Sequence, residues 1–466
     1  MKPAFKEVYQ FDKKCYEEYK LTEDILMEHA AYSMALEIYK RVSKNSVVNI
    51  VAGPGNNGAD GVTLARILIG DYHVNLYMPL GAKSEMCKLQ LERYKAVGGK
   101  VENEYKKCDC LVDAIFGSGL KRDLNEEIVS VVNKMNHLNA LKIACDIPTG
   151  IDDNGNLRPV AFRADITVTM GAEKIALYSD AAKDYVGEII KADLGVSFTK
   201  YIHNCCYYIL EKKDLITPIR KKQNTHKRSY GHLGVLVGEK PGAGILAAQA
   251  AFNYGCGLVS VMENEKCKIG NLNVPYEIMK TDKLENFTAL AFGMGMGDCF
   301  DDVLDDIAKL DIPMVVDADM FYKKEIVKFL DKKVVLTPHP KEFASLLKIT
   351  GLGEYSVKEV QERRFELTEK FSEKYPGVVL LLKGANKIIA YNKKLFIDPN
   401  GDVALAKGGS GDVLAGIIAS LLAQKWHPLK AAIHGSLAHS LAGNYEPNYA
   451  LTPTKIIENL CLVGSK

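Results

Sequence analysis

The 466-residue sequence has almost no net charge: 60 Lys and Arg face 58 Asp and Glu, leaving +2 at pH 7. Binding nucleic acid or a membrane surface through an overall field needs a marked basic excess, so no nucleic-acid or membrane partner is expected. No apolar run reaches the ~18 residues of a membrane span. The chain opens on a mixed polar segment from Met1-Lys2, without a targeting pattern. Its eleven cysteines are odd in number and follow no framework spacing. Cys108/Cys110 and Cys205/Cys206 are too cramped for zinc, which wants a Cys-x₂₋₄-Cys pair and two further ligands. Reduced thiols in a cytoplasmic protein are therefore expected. Gly-Lys-Ser/Thr is also missing, which excludes a Walker-type phosphate loop.

What is present is ordinary globular composition, 47% hydrophobic and 25% charged, in a chain long enough for two or three domains. Apolar strand patterns alternate with helical ones throughout. In the first half, Thr22 can cap a helix, and 46–52 reads as a buried parallel strand. A glycine-rich turn over 53–61 follows, then a helical pattern from Val62 to Ile69. Strands at 73–78, 109–116 and 143–147 and a helix at 85–96 continue the series. Ligands in open α/β sheets bind at the carboxyl ends of strands. Asn57, Asp113, Asp146 and Thr149 all fall there, which marks a binding site. In the second half, strands at 233–237, 257–262, 289–293, 313–316, 334–336 and 378–382 each run into a polar or glycine-rich loop. Between the halves lies a basic segment from Lys212 to Arg228.

The stretch Lys407-Gly408-Gly409-Ser410-Gly411-Asp412 precedes an apolar helical pattern over 417–422. Glycines let backbone approach an anion closely, and a helix N-terminus aims free N–H groups and a positive dipole end at the same spot. Such a cradle needs no carboxylate for binding, so Asp412 suits proton removal, as in phosphoryl transfer. The plainer reading is a glycine turn with Asp412 as a helix cap. His339 has no partner at metal spacing. His434 and His439 lie five apart on one helical pattern, which suits a structural role better than a metal pair.

Three first-half motifs carry a resemblance: Gly55-Asn56-Asn57-Gly58-Ala59-Asp60-Gly61, Asp113-Ala114-Ile115-Phe116-Gly117-Ser118-Gly119 and Asp146-Ile147-Pro148-Thr149-Gly150-Ile151-Asp152. In this order they resemble the signatures of the NAD(P)HX epimerase domain. The resemblance implies that Asn56, Asn57, Gly58, Ala59 and Asp60, with Gly117, Ser118, Gly119, Leu120, Lys121, Arg122 and Asp123, hold the phosphate-bearing part of the substrate. It implies K+ ligation by Asn57, Asp113 and Thr149, and an acid/base role for Asp146.

The second half resembles the ribokinase-like ADP/ATP-dependent NAD(P)HX dehydratases through Asn224-Thr225-His226-Lys227, Thr337-Pro338-His339-Pro340-Lys341-Glu342-Phe343, Lys383-Gly384-Ala385 and the Gly408–Asp412 stretch. By this resemblance Ala243, Gly295 and His339, Pro340, Lys341, Glu342, Phe343, Ala344 and Ser345 contact the hydrated dinucleotide. Lys383, Gly384, Ala385, Asn386 and Lys387, with Gly408, Gly409, Ser410 and Gly411, hold the adenine nucleotide. Asp412 faces the C6 hydroxyl as base. Lys387 stands where threonine is frequent in the family, and Asp402-Val403-Ala404 replaces a common Asn-x-Gly.

Together the resemblances imply an α/β protein of two domains: a Rossmann-like three-layer sandwich over 1–205 and a ribokinase-like three-layer sandwich over 206–466. The implied function is repair of NADHX and NADPHX, with K+, Mg2+ and ADP as co-substrate, in a homo-oligomer. The alternative is a ribokinase-superfamily small-molecule kinase fused to a non-catalytic ligand-binding domain.

Overall fold

The computed structural model describes residues 1–266 and 274–464. Two compact units emerge, Pro3–Cys206 and Tyr207–Lys466, the latter with Met1–Lys2.

The first unit holds a seven-stranded sheet, all parallel, in the order Val101–Glu102, His73–Tyr77, Val47–Ala52, Cys110–Ala114, Leu141–Cys145, Ile166–Met170, Glu188–Ala192. The central strands are buried along almost their whole length because helices cover both faces. One apolar cluster gathers Met34, Ile38, Ile50, Leu64 and Val112, and the other Val51, Leu111, Ile115 and Ile128. Val47–Ala52 comes first of these seven strands along the chain. The strands that follow it build one edge, and the chain then crosses back to Cys110–Ala114. The strand order therefore reverses between Val47–Ala52 and Cys110–Ala114, and a crevice opens at their carboxyl ends.

One boundary differs from the sequence expectation. The helix begins at Asn56, with Gly55 as its N-cap, not at Val62, and runs to Leu68. The glycines of this stretch serve close packing inside a helix. A Cβ on Gly58 would lie 1.8 Å from the Gly53 carbonyl oxygen, and one on Gly61 2.6 Å from the Ala114 Cβ. Thr22 stands at the N-cap of Glu23–Arg41, but its hydroxyl donates to Asp24 at 2.6 Å instead of accepting a backbone N–H.

The second unit repeats the plan. Met279–Thr281, Leu258–Met262, His232–Leu236, Ala289–Phe292, Met314–Val316, Val334–Leu336 and Val379–Leu382 run parallel in that order. Lys387–Tyr391 and Lys394–Asp398 continue antiparallel, and Tyr207–Ile209 adds parallel to the last of these. Here the order reverses between His232–Leu236 and Ala289–Phe292. The loops at that point touch, since a Cβ on Gly238 would meet the Met296 carbonyl oxygen at 2.1 Å. Helix Ser410–Ala423 is buried nearly all round and packs tightly on Pro241–Asn253. A Cβ on Gly416 would stand 2.1 Å from the Ala247 carbonyl oxygen. No helix among the described residues is long and apolar enough to cross a membrane.

Candidate active sites

In the first unit, three of the expected residues converge at the strand reversal. A Cβ on Gly117 would lie 2.6 Å from Asn57 Oδ1 and 3.0 Å from Asp146 Oδ2, so this glycine separates the two side chains. Asp146 follows strand Leu141–Cys145 with a φ of 68°, an uncommon value for an aspartate that turns its carboxylate back over the sheet end. Its Oδ2 accepts from Ser118 N–H at 3.1 Å; Oδ1 accepts from Met170 N–H at 3.1 Å and from Lys174 Nζ at 2.6 Å. Burial opposes ionisation here. The Lys174 ammonium and the two backbone N–H groups outweigh it and hold the carboxyl below its ordinary range. Lys174 is itself buried, and Thr169 Oγ1 and the Met170 carbonyl also accept from it, at 3.2 and 3.1 Å.

Asp113 and Thr149 meet directly. Thr149 donates its N–H and its hydroxyl to the two Asp113 oxygens, each at 2.7 Å. Burial pushes the Asp113 carboxyl up to about 6. The Asn57 Nδ2 is buried and without a partner.

Asp60 behaves unlike a phosphate ligand. Burial, and then the carboxylates of Asp146, Asp12 and Glu23, push its carboxyl well above the ordinary range, with Lys174 opposing. Asn56 reaches instead to the Glu23 carboxylate. Gly58 and Ala59 are packed inside, and Leu120 is in the core against the helix Glu126–His137. Ser118, Gly119, Lys121, Arg122 and Asp123 form an exposed rim, with Gly119 N–H donating to Asp153 at 2.8 Å.

In the second unit, Asp412 lies in the first turn of Ser410–Ala423, half-buried. Burial, joined by the Asp317 and Asp319 charges and opposed by Lys383, pushes its carboxyl up to about 6. Lys383 Nζ donates to buried Asp317 at 2.7 Å and lies 3.2 Å from where a Cβ on Gly411 would be. The ammonium thus stands against the glycine-rich loop. Gly409 has a φ of 90°, which this loop can adopt only because no side chain is there. Arg364, also buried, donates to the carbonyls of Lys383 at 3.1 Å and Asn386 at 2.9 Å, which fixes the Lys383–Asn386 loop. Gly384 and Ala385 are exposed on that loop. Lys387 is turned away, into a buried ion pair with Asp398 at 3.7 Å, so its ammonium presents nothing to a nucleotide.

Ala243 and Gly295 come together, with 3.3 Å between the Ala243 Cβ and a Cβ built on Gly295. Gly295 lines a cleft of about 330 Å³ together with Glu239, Lys240, Gly297, Asp298, Asp319, Tyr322 and Lys323. His339 caps the helix Pro340–Ile349. Its Nδ1 accepts from Lys341 and Glu342 N–H, and Glu342 Oε2 accepts from His339 N–H at 2.7 Å. Burial raises the Glu342 carboxyl to about 7. Phe343 points into the core, 6.0 Å centroid to centroid from Phe371, and offers no surface to a ligand. Lys341 is exposed, and Pro340, Ala344 and Ser345 are half-buried on the same helix.

Four contributors were missed from sequence: Lys174, Asp317, Asp319 and Arg364. Neither cation stands out in the sequence, since Lys174 follows Glu173 and Arg364 follows Arg363 in a charged stretch; only their burial shows that each must find partners.

Two Rossmann-type crevices, one with an ionised aspartate at a strand end and one with an aspartate on a glycine-rich helix start beside a lysine, define a two-site α/β enzyme of nucleotide chemistry. Residues 233–461 match the NAD(P)H-hydrate dehydratase family and residues 23–176 the YjeF-related protein N-terminus family. The bifunctional NAD(P)H-hydrate repair enzyme Nnr of Helicobacter pylori is 44% identical over 99% of both chains. Its namesake in Dictyoglomus turgidum is 32% identical over 98% of this chain and 96% of that one. The chain belongs to the bifunctional NAD(P)H-hydrate repair enzyme family. Among solved structures, the Bacillus subtilis ADP/ATP-dependent NAD(P)H-hydrate dehydratase, crystallised with ATP and Mg2+, is 26% identical. It covers 54% of this chain and 94% of its own, with a TM-score of 0.46.

Proposed function

We propose that the chain repairs hydrated NADH and NADPH: the first unit interconverts the R and S hydrates, and the second dehydrates the S form at the expense of ADP. The observation that carries this reading is the end-to-end likeness to the repair enzymes, 44% over 99% of the chain, which takes in both sites.

In the first unit, ionised Asp146 takes the proton of the C6 hydroxyl as the ring C6–N bond opens. C6 becomes a carbonyl, and the bond's electron pair goes to the ring nitrogen. The Asp60 carboxyl, whose burial among other carboxylates favours its protonated form, would supply that nitrogen with a proton. Rotation and closure on the other face, with both protons returned, give the epimer. Asn57, Asp113 and Thr149 suit a potassium ion: they bring hard oxygen donors, a buried carboxylate with no cation on it, and an amide whose unpartnered end would become a ligand if flipped. Bound there, K+ would neutralise Asp113 and fix the loop after Cys110–Ala114.

In the second unit, Asp412 takes the C6 hydroxyl proton while that oxygen attacks the terminal phosphorus of ADP and AMP departs. The phosphate then leaves C6 with its electron pair as C5 gives up its proton to the departing phosphate, which restores the C5–C6 double bond of the dihydronicotinamide ring. Phosphate is a far better leaving group than hydroxide, which is why a nucleotide is consumed. Lys383 and the backbone N–H groups at Gly408–Gly411 would stabilise the charge in transfer. Among the described residues no cluster of His, Cys, Asp or Glu is built to hold a metal ion. Mg2+ would therefore be carried mainly by the ADP phosphates and water, its usual manner of binding.

The test is recovery of NADH from a mixture of both hydrates with ADP, and with ATP alongside. Full recovery is expected. Recovery of half the material would sink the epimerase assignment, and recovery of none the whole reading. A stable phosphorylated product would favour a small-molecule kinase instead.

A further inference from the structure

Behind the glycine-rich loop lies a buried polar cluster that the reaction does not use. Ser410 opens the helix that carries Asp412. His439, on helix Pro428–Ala442, places its Nε2 2.9 Å from the Ser410 carbonyl oxygen and 3.1 Å from its hydroxyl. A carbonyl oxygen only accepts, so Nε2 carries the proton and donates. Burial, and then the nearby Lys387 ammonium, push the imidazole down to about 3, so the ring is neutral. Its other nitrogen, Nδ1, is therefore an unprotonated acceptor, and it is buried with no partner. An apolar side chain would fill this space without that loss. The histidine is explained by the bond it gives to Ser410.

The next residue, Ser440, belongs to the same device. Its hydroxyl donates to Asp398 at 2.7 Å and accepts from Lys387 Nζ at 2.5 Å, and Ser436 donates to the same Asp398 oxygen at 2.6 Å. Lys387 begins the strand directly after the Lys383–Asn386 loop. Adjacent residues of one helix thus hold the two segments expected to grip the nucleotide, one through Lys387 and the other through Ser410.

We propose that His439 is a positioning residue for the adenine nucleotide, the Ser410 end of a brace that runs through Ser440 and Lys387 and sets the spacing of the Gly408–Gly411 and Lys383–Asn386 loops. This rests on the reading of the second unit as nucleotide-binding. Small misplacements of binding groups cost far more in rate and affinity than the strength of one hydrogen bond suggests.

The test uses the full chain and calorimetric binding of ADP, which needs no turnover, beside the KM of each substrate. For His439→Ala, ADP Kd and KM should rise about ten- to a hundredfold. The KM for the S hydrate and the rate of epimer exchange should stay within about twofold of the parent. His439→Gln, which returns an N–H at the ε position, should restore most of the ADP affinity. Ser440→Ala should show a smaller loss of the same kind. The brace is overturned if His439→Ala binds ADP as the parent does, if both substrates weaken together, or if Gln restores nothing. A parent chain that binds ADP but recovers no NADH would sink the proposed reaction and leave the brace standing; one that binds no ADP would overturn both.

Discussion

Asp146 stands at a strand end in the first unit and Asp412 at a helix start in the second, and their surroundings push them in opposite directions. Asp146 ends a strand, is bent back by a positive φ, and has a buried ammonium at 2.6 Å. Asp412 starts a helix among two other carboxylates, and the nearest cation is already paired with one of them, Asp317. The first is held ionised well into acid. The second is raised to about 6, still ionised at neutral pH but a stronger base. The lesson is that the placing of one lysine sets how far into acid a buried carboxylate stays ionised: Lys174 is hydrogen-bonded to Asp146 itself, whereas Lys383 is hydrogen-bonded to Asp317 and leaves Asp412 raised by burial.

The comparison breaks most plainly by removing one acid at a time. Asp412→Asn should lower dehydration by ~10²–10⁴ and leave epimer exchange intact, read as NADH recovery from the pure S hydrate against exchange between hydrates. Loss of both activities would mean that the two sites are not separate. Lys174→Met comes next, because it strands a buried carboxylate. Exchange at neutral pH should drop at least tenfold as Asp146 takes up a proton. Denaturant unfolding should show a loss of ~3–5 kcal/mol, the usual effect of removing one partner of a buried pair.

The pH dependence sharpens the contrast further. If Asp412 is the base proposed, it works ionised, and dehydration should fall about tenfold per pH unit below about 6. Exchange should persist to lower pH, because Asp146 is held down by Lys174. Coincident acid limbs would contradict the assignment of opposite environments. The smallest effect expected is from His339→Ala. It removes the N-cap of Pro340–Ile349 for ~1 kcal/mol of stability, with exchange unchanged, measured by thermal unfolding and the exchange assay.

Ten of the strands and the loops bearing the acids were legible in the sequence, because buried parallel strands read as short apolar runs between glycine-rich turns. The strand order, and strands such as Ile166–Met170, Lys387–Tyr391 and Lys394–Asp398, were not. The start of the helix at Asn56 was not. Gly58 and Gly61 look like loop residues, and only the 1.8 Å and 2.6 Å approaches to neighbouring segments explain them inside a helix. Asp60 was assigned to phosphate from its place in a motif, whereas its raised proton affinity comes first from burial and then from Asp146, Asp12 and Glu23, residues distant in sequence. Lys387 was assigned to the nucleotide by family resemblance, as part of the run Lys383–Lys387. Its direction depends on strand alternation and on Asp398, which is reached only through the sheet. Asp317-Ala318-Asp319 was visible as a loop, but the pairing of Asp317 with Lys383 spans 66 residues. His439 was read as structural from its spacing to His434, and its reach to Ser410 needed the packing of two helices to be seen.

The central claim is that one chain carries two independent carboxylate sites acting in sequence on the same damaged ring. It is tested most directly by giving an equal mixture of R and S hydrates with ADP to Asp146→Asn and to the parent. The parent should recover all of the material as NADH. The variant should stop at half, with the R hydrate left over apart from its slow uncatalysed conversion. Complete recovery by the variant at the parent's rate would contradict the account.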